Sequence, residues 1–542
     1  MNNNNQQTEN SRISLLKGSA WMTLGSIFSR VLGAIYIIPW YAWMGTHGNV
    51  ANALTAKSYN IYSLFLIIST AGIPGAVAKQ VAKYNAINEY GIGRKLFKHG
   101  LFLMMIFGIV SAFVMTIASP ILAGNDSRQI PVLHSLALAV LIIPILSIMR
   151  GYFQGYNDMM PSALSQLVEQ IARVAWMLFT AYLIMQVQHG SYLTAVIQSN
   201  LAAAVGAFFG IALLVLFLLK RKSNDDKLIL SSNNEIEVST QSLFKEIIGQ
   251  SVPFIIIDSG ITFFQLMDQY TFHPIMNNLV HVSYDQIESW YALFGLNANK
   301  LIMVIVSLAT AMAMTAIPLL SGAHAKKDYK DISRQIENTL ELFLFFMIPA
   351  SLGMAAVSVP VYTIFYGADP LGANILFLSG IAAMFLGAFT ILMAILQGLS
   401  ENGLAIKYLL IGIIIKSIFQ WPAIKLFQVY GPLISTIIGL IFTITFALMH
   451  LRIKYKYNYK RTKKIFLAIL IISLMMFMLS LIFVVIAGKL LNPEHRINAL
   501  ILAAGGSIIG GLFYFYITFK LKLAQKVIGN KVERLAKKLH IC

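Results

Sequence analysis

Long apolar runs separated by short polar breaks dominate the chain. A helix crosses a hydrocarbon core in about 20 residues, and fourteen segments reach that length: 18–40, 58–80, 100–123, 131–154, 162–187, 191–219, 247–270, 289–320, 340–365, 372–397, 404–427, 432–451, 465–488 and 497–519. No charged residue lies between Lys464 and Lys489, or between Arg496 and Lys520. The stretch Val174–Leu219 is also free of charge and long enough for most of two spans, with a turn at Gln186–Ser191. The pattern predicts an all-α polytopic membrane protein with 14 transmembrane helices.

The polar breaks alternate in character. With the N-terminus inside, the longest outer connections are 41–57 and 271–288, too short for a folded outer domain. The largest inner break, Lys220–Lys245, contains Ser231, Ser232, Asn233 and Asn234 and reads as a linker between halves. Those halves look duplicated. Ile73-Pro74 matches Ile317-Pro318 at an offset of 244, Pro120 matches Pro360 at 240, and Gln154-Gly155 matches Gln397-Gly398 at 243. Six spans per copy give both copies the same orientation, so the predicted lobes are parallel repeats. The expected organisation is a polar N-terminus (1–17), a first six-helix lobe (18–221), a linker (222–245) and a second lobe (246–456). A C-terminal helix pair (457–520) and a basic tail (521–542) follow.

Composition agrees with the pattern. Only 12% of the 542 residues are charged and the mean hydropathy is +0.71, against about 25% charged in soluble domains. A large soluble protein and a disordered one are both excluded. The net charge of +19, from 41 Lys+Arg and 22 Asp+Glu, would suggest nucleic acid in a soluble protein. Here 30 bases fall at the inner ends and loops and 5 at the outer ones, so nucleic acid is not expected. The positive-inside rule then puts both termini in the cytoplasm. The single cysteine, Cys542, removes disulfides and cysteine metal sites from consideration. Residues 1–10 lack the apolar core of a signal peptide. No phosphate-binding Gly-x-x-x-x-Gly-Lys-[Ser/Thr] loop and no His-Glu-x-x-His occurs.

Four bases sit well inside spans, where a charge costs about 2.5–3.5 kcal/mol on insertion scales. They are Arg30, Arg173, Lys300 and Lys416, and Arg173 and Lys416 are 243 residues apart, the offset of the repeat. One reading is a cationic cavity for an anionic substrate. The other is ion pairing, since Glu169 lies one helical turn before Arg173. The intramembrane acids Glu169, Asp258 and Asp268 suit a counter-charge, a coupling site for a cation or proton, or a helix–helix hydrogen bond. Their spacing does not suggest a metal cluster. In the tail, Ile528, Val532, Leu535 and Leu539 form one stripe among Lys526, Lys531, Arg534, Lys537 and Lys538. This suits a helix on anionic membrane lipids, or a solvated continuation of the last span.

Several motifs resemble those of the lipid II flippase (MurJ) family. Ser29-Arg30-Val31-Leu32-Gly33 resembles its first-helix motif. Gly72-Ile73-Pro74-Gly75-Ala76-Val77-Ala78-Lys79, Arg150-Gly151-Tyr152-Phe153-Gln154-Gly155 and Ser165-Gln166-Leu167-Val168-Glu169-Gln170-Ile171-Ala172-Arg173-Val174 resemble its Gram-positive branch. The resemblance implies two lobes facing each other, a groove for a lipid tail on the last helix pair, and membership of the multidrug/oligosaccharidyl-lipid/polysaccharide exporter superfamily. It makes Arg30 a required first-helix arginine. Lys300, in Asn297-Ala298-Asn299-Lys300-Leu301, takes the place of a cavity-facing arginine. Met303 stands where the Gram-negative pattern has a glutamate, and Leu66-Ile67 lies where it has an arginine.

The expected function is therefore alternating-access flipping of lipid II, or another anionic polyprenyl-diphosphate lipid, across a bacterial cell membrane. Its diphosphate would meet Arg30, Lys300, Arg173 and Lys416. No cofactor is implied, and the energy would come from a coupling ion or from the membrane potential, about 2.3 kcal/mol per charge per 100 mV. Two alternatives stay open. One is a related exporter of drugs or of another lipid-linked saccharide. The other is a membrane glycosyltransferase using outer carboxylates such as Asp285, Glu288 and Asp369.

Overall fold

A computed structural model describes residues 32–33, 35–70, 73–156, 158–232 and 251–528. Every regular element among them is helical. The helices are α1 (Ile37–Met44), α2 (Gly48–Thr70), α3 (Ile73–Ala86), α4 (Tyr90–Leu122), α5 (Gln129–Gly155), α6 (Met159–Tyr182) and α7 (Tyr192–Leu230). Residues 251–258 are also helical and lead into α8 (Gly260–Leu279). There follow α9 (Tyr284–Ala292), α10 (Asn299–Ala325), α11 (Tyr329–Ala356), α12 (Ser358–Tyr366), α13 (Pro370–Gly398) and α14 (Asn402–Phe427). The chain continues through α15 (Gly431–Tyr455), α16 (Tyr459–Leu490), α17 (Arg496–Lys520) and α18 (Leu523–Ile528). It divides into two compact units, Met1–Thr262 and Phe263–Cys542.

Ten helical stretches among the described residues are long and apolar enough to cross a membrane, against fourteen expected. The first expected span lies mostly outside the described residues, and the seventh does so in part. The second falls on α2 and α3, with residues 71–72 outside the described ones, and is rich in small and polar residues. The eleventh and twelfth form one stretch, Asn402–Tyr455, folded at Gln428–Tyr430 into the antiparallel pair α14–α15.

The helices outrun the apolar segments. The helix expected from 100 starts at Tyr90, and the one expected from 340 starts at Tyr329. Hydropathy marks where lipid touches a helix, whereas backbone hydrogen bonding continues into the polar ends. The expected outer loop 41–57 is likewise mostly helical. The backbone turns at Gly45, whose φ of +58° favours glycine, and α2 starts at Gly48. Lys57, expected in that loop, is buried within α2. Helix α7 runs nine residues past the expected lobe end at 221. Its charged end is tied down by Arg221–Asp225 at 2.7 Å and Arg94–Asp226.

The duplication is visible in packing. In the first unit α3 and α4 pack on α5, α5 packs on α7, and α6 packs on α7. In the second unit α10 and α11 pack on α13, α13 on α15, and α14 on α15. The close approaches repeat atom for atom. A Cβ on Gly206 of α7 would lie 2.6 Å from the Glu169 carbonyl oxygen and 3.1 Å from Arg173 Cβ. A Cβ on Gly439 of α15 would lie 2.6 Å from the Gly412 carbonyl oxygen and 3.1 Å from Lys416 Cβ. Arg173 and Lys416 are thus structurally equivalent, and both glycines are required by close helix contact.

The turns repeat as well. Asn88 (φ 63°) and Lys327 (φ 54°) are left-handed residues at the equivalent bends before α4 and α11. The following N–H groups reach back alike, Glu89 to the Tyr84 carbonyl and Asp328 to the Ala323 carbonyl. These pairs fix an offset of 239 in this part of the repeat. Gly155 against Ala78 and Val81, and Gly398 against Ile317 and Leu320, give the same register for α3 and α10. The match of Ile73-Pro74 with Ile317-Pro318 at 244 is therefore five residues out of register. Pro74 stands in the first turn of α3, where a missing N–H is tolerated, while Pro318 lies inside α10.

The last helix pair belongs to the second unit. Helix α16 packs on α11, and α17 packs on α16 and α12. Tyr514 donates a 2.7 Å hydrogen bond to the Phe345 carbonyl. Gly506 and Gly510, four apart, let α17 approach Ser480 of α16 closely. The other side of the pair forms an apolar groove lined by Ile471, Met475, Met478, Ile482 and Phe513.

Candidate functional site

The expected site residues have different environments. Arg30 lies outside the described residues. Lys300 is half-buried at the second position of α10, directly after the π-helical turn Leu293–Ala298. That turn is anchored from α12, because the buried Asn297 donates its amide to Tyr362 Oη at 2.9 Å and Tyr366 donates to the Asn297 carbonyl. Asp258 is exposed at the end of the helical residues 251–258. Among the described residues, no three His, Cys, Asp or Glu side chains are grouped so as to hold a metal ion.

In the first unit Glu169 of α6 sits between two arginines. Arg150, from the end of α5, donates to Glu169 Oε2 at 2.7 Å and to Ser165 Oγ at 2.8 Å. Arg173, one turn along α6, is 3.9 Å from Glu169 Oε1. The buried Tyr62 of α2 hydrogen-bonds Arg173, and Tyr59 and Tyr36 lie within its electrostatic reach. The Arg173 Nε is buried without a hydrogen-bond acceptor among the described residues. Among the described residues, two guanidiniums against one carboxylate leave a surplus of one positive charge. The three side chains keep 15–21% of their surface accessible.

In the second unit the equivalent base is closed off. Lys416 of α14 is fully buried and donates to Asp268 Oδ1 of α8 at 2.7 Å and to Thr436 Oγ1 of α15. Its ammonium also lies 5.6 Å from the centre of the Phe264 ring. Gln420 donates to Asp268 and to Thr271 at 2.9 Å each, and Ser435 donates to Gln420. Of the two readings open for Lys416, the ion pair is the one present, and Asp268 is its counter-charge. Gly412 replaces Glu169 at the repeat-equivalent position, and Met393 replaces Arg150.

A second pair of repeated charges closes the polar ends of the helix pairs. Asp158, before α6, faces Arg221 of α7 at 3.7 Å. Glu401, before α14, faces Lys454 of α15 at 2.6 Å, with His450 and Tyr455 also hydrogen-bonded to it. Burial lifts the Glu401 carboxyl, but hydrogen bonds from Lys454 and Tyr455, and His450 beside it, outweigh burial and hold it below the usual carboxylate value.

Sequence reasoning found Glu169–Arg173 through its one-turn spacing. It did not single out Arg150, which lies at the edge of a span where a base is ordinary. Nor did it select the acids after the two Gln-Gly motifs, Asp158 and Glu401, although they share the 243-residue offset. The outer carboxylates do not form an accessible pair. Glu288 is 1% exposed, and Asp369 caps α13 by accepting from the Leu371 N–H.

A duplicated helical bundle with charge held between otherwise apolar helices defines a membrane transporter. Its fold matches an inward-closed structure of a lipid II flippase MurJ, with a TM-score of 0.60 and 14% identity over 92% of this chain and 99% of that one. It also matches an inward-facing multidrug transporter of the MATE family, with a TM-score of 0.62 and 12% identity over 80% and 96%. The polysaccharide biosynthesis protein family matches residues 15–324. The chain is 33% identical to the lipid II flippase MurJ of Bacillus subtilis over 537 residues, 96% of this chain and 97% of that protein. It is 24% identical to stage V sporulation protein B of the same organism, over 79% of this chain and 81% of that one. The chain belongs to the polysaccharide biosynthesis protein family, in the group that includes the MurJ flippases.

Proposed function

We propose that this transporter flips lipid II, or a closely similar polyprenyl-diphosphate-linked saccharide, from the inner to the outer leaflet by alternating access. Near full-length similarity to a lipid II flippase supports the substrate class. The observation that carries the chemistry is the Arg150–Glu169–Arg173 cluster, with its surplus positive charge and partial accessibility. A diphosphate diester carries two negative charges, and a guanidinium fork matches phosphate oxygens in two hydrogen bonds. Lys416 serves instead to hold α8, α14 and α15 together. The apolar groove on α16 and α17 suits the prenyl chain, which stays in lipid while the headgroup crosses.

The basic ends of the helices support an orientation with both termini cytoplasmic, where anionic lipids meet the Lys/Arg-rich turns. With no bond broken, the driving force is an ion gradient or the membrane potential. A multidrug role fits the fold but not the charge, since a cationic drug is repelled by a net positive site.

The test is complementation. Cells depleted of the native protein and supplied with Arg150→Ala or Arg173→Ala should accumulate the lipid-linked precursor on the inner leaflet. Translocation is expected to fall at least about tenfold, the equivalent of one 1.4 kcal/mol interaction, while membrane insertion is unchanged. Normal translocation by both variants rejects the cluster as the headgroup site.

A further inference from the structure

Glu169 is short of what its two neighbours require. Its carboxylate has two oxygens and one charge. One oxygen is engaged by Arg150 at 2.7 Å, while Arg173 stays beyond hydrogen-bond distance at 3.9 Å. The Arg173 Nε has no acceptor among the described residues, though it is buried. Buried donors without acceptors cost about 1–3 kcal/mol each, so the arrangement is under-satisfied on the arginine side. A diphosphate, taken as a whole, brings more oxygens and more charge than one carboxylate. It can bridge both guanidiniums and reach the vacant Nε.

The second unit shows that Glu169 is not demanded by the repeat. The equivalent residue is Gly412, yet α14 and α15 meet with the same contacts that join α6 and α7. There the base is neutralised from another helix, by a carboxylate in a largely buried network. In the first unit the acid is on the same helix as Arg173, one turn away and partly accessible, so side-chain rotation alone separates them.

We infer that Glu169 is an exchangeable counter-ion: it occupies the Arg150/Arg173 pair when the site is empty, is displaced by the substrate's phosphate, and returns to expel it. The inference rests on the proposed headgroup site and deepens it. Binding would then be an anion exchange instead of the addition of a charge to an open cationic pocket. Glu169 sets release as much as binding, because removing the competitor leaves the phosphate with nothing to displace it.

Purified full-length protein in detergent, titrated with farnesyl diphosphate and separately with inorganic diphosphate, provides the test. Glu169→Gln keeps the hydrogen-bonding shape and removes the charge. It should bind farnesyl diphosphate about tenfold more tightly, with slower dissociation, and should lower translocation in vesicles despite the tighter binding. Arg150→Ala and Arg173→Ala should weaken binding. In an Arg150→Ala/Arg173→Ala background, Glu169→Gln should give no gain. Glu169→Gly, which copies the second unit, should reproduce the gain and guards against a fold defect specific to Gln.

Unchanged or weaker binding by both Glu169 variants, with the arginine variants still weakened, overturns the exchange and leaves the headgroup site standing. Unchanged binding by the arginine variants removes the site itself. A gain for inorganic diphosphate but none for farnesyl diphosphate overturns the assignment to a lipid headgroup.

Discussion

Arg173 and Lys416 occupy the same place in two copies of one fold: a Cβ added to a glycine of the next helix would lie 3.1 Å from the Cβ of each. Their surroundings diverge completely. Around Arg173 the first unit gathers two arginines, one glutamate and tyrosines, leaving charge uncompensated among the described residues and partly accessible. Around Lys416 the second unit places one aspartate, two threonines, a glutamine and a serine, and the charge is balanced and sealed. One copy of the position keeps a partly accessible charge cluster while the other is internal structure. An intramembrane base is thus not evidence of a binding site until its counter-charge is located.

The contrast predicts opposite phenotypes for equivalent substitutions. Lys416→Ala strands the Asp268 carboxylate in a buried network, and breaking a buried pair costs about 3–5 kcal/mol. The thermal midpoint of the detergent-solubilised protein should fall sharply. Asp268→Ala should act in the same way. Replacing both at once, with Lys416→Met and Asp268→Leu, should recover most of the loss, because an apolar pair of similar volume is often neutral or better. Arg173→Ala should change the midpoint little and translocation greatly. Equal loss of stability in Arg173→Ala and Lys416→Ala would dissolve the distinction between the two units.

The shared framework should respond symmetrically. A methyl on Gly206 or Gly439 would meet a carbonyl oxygen at 2.6 Å, closer than helix backbones yield without moving apart. Over-packing of this kind costs about 1–3 kcal/mol. Gly206→Ala and Gly439→Ala should therefore destabilise to similar degrees, measured as thermal midpoints. Gly206→Ala should in addition weaken diphosphate binding, since it pushes on the backbone that carries Glu169 and Arg173. Stability loss confined to one of the two would mean that only one helix pair needs the close approach.

Much of this was legible in the chain. Hydropathy located most of the spans because burial in lipid is a local property of about 20 residues. The one-turn spacing exposed Glu169–Arg173 for the same reason. The Asp268–Lys416 pair joins residues 148 apart, and only the tertiary contact between α8 and α14 chooses Asp268 over Asp258. The first part of α2, expected as loop, escaped hydropathy because Gly48, Asn49, Asn52, Thr55 and Lys57 are polar or small, yet it is helical and mostly buried. The repeat was legible at Gln154-Gly155 and Gln397-Gly398, where the close approach of α3 and of α10 demands a glycine. It was misread at the Ile-Pro pairs, since such pairs recur easily in apolar helices and carry no register of their own.

The smallest expected difference lies between the two end clamps. Asp158 is 45% exposed and 3.7 Å from Arg221, while Glu401 is 7% exposed and shared by Lys454, His450 and Tyr455. An exposed pair at such a distance is screened by water and salt and contributes at most a few tenths of a kcal/mol. Asp158→Asn should leave the thermal midpoint almost unchanged. Glu401 is held below its ordinary value of 4.5, so its contribution is fully present above that value and is lost as the pH falls through the lower folded-state value. Glu401→Gln should therefore lower the midpoint by a few degrees at pH 7, and by progressively less as the pH is taken below about 4.5. Thermal melts of the wild type, Glu401→Gln and Asp158→Asn between pH 7 and pH 4 measure this directly. A wild-type advantage over Glu401→Gln that grows on acidification would contradict the sign and remove the carboxylate as the centre of the clamp.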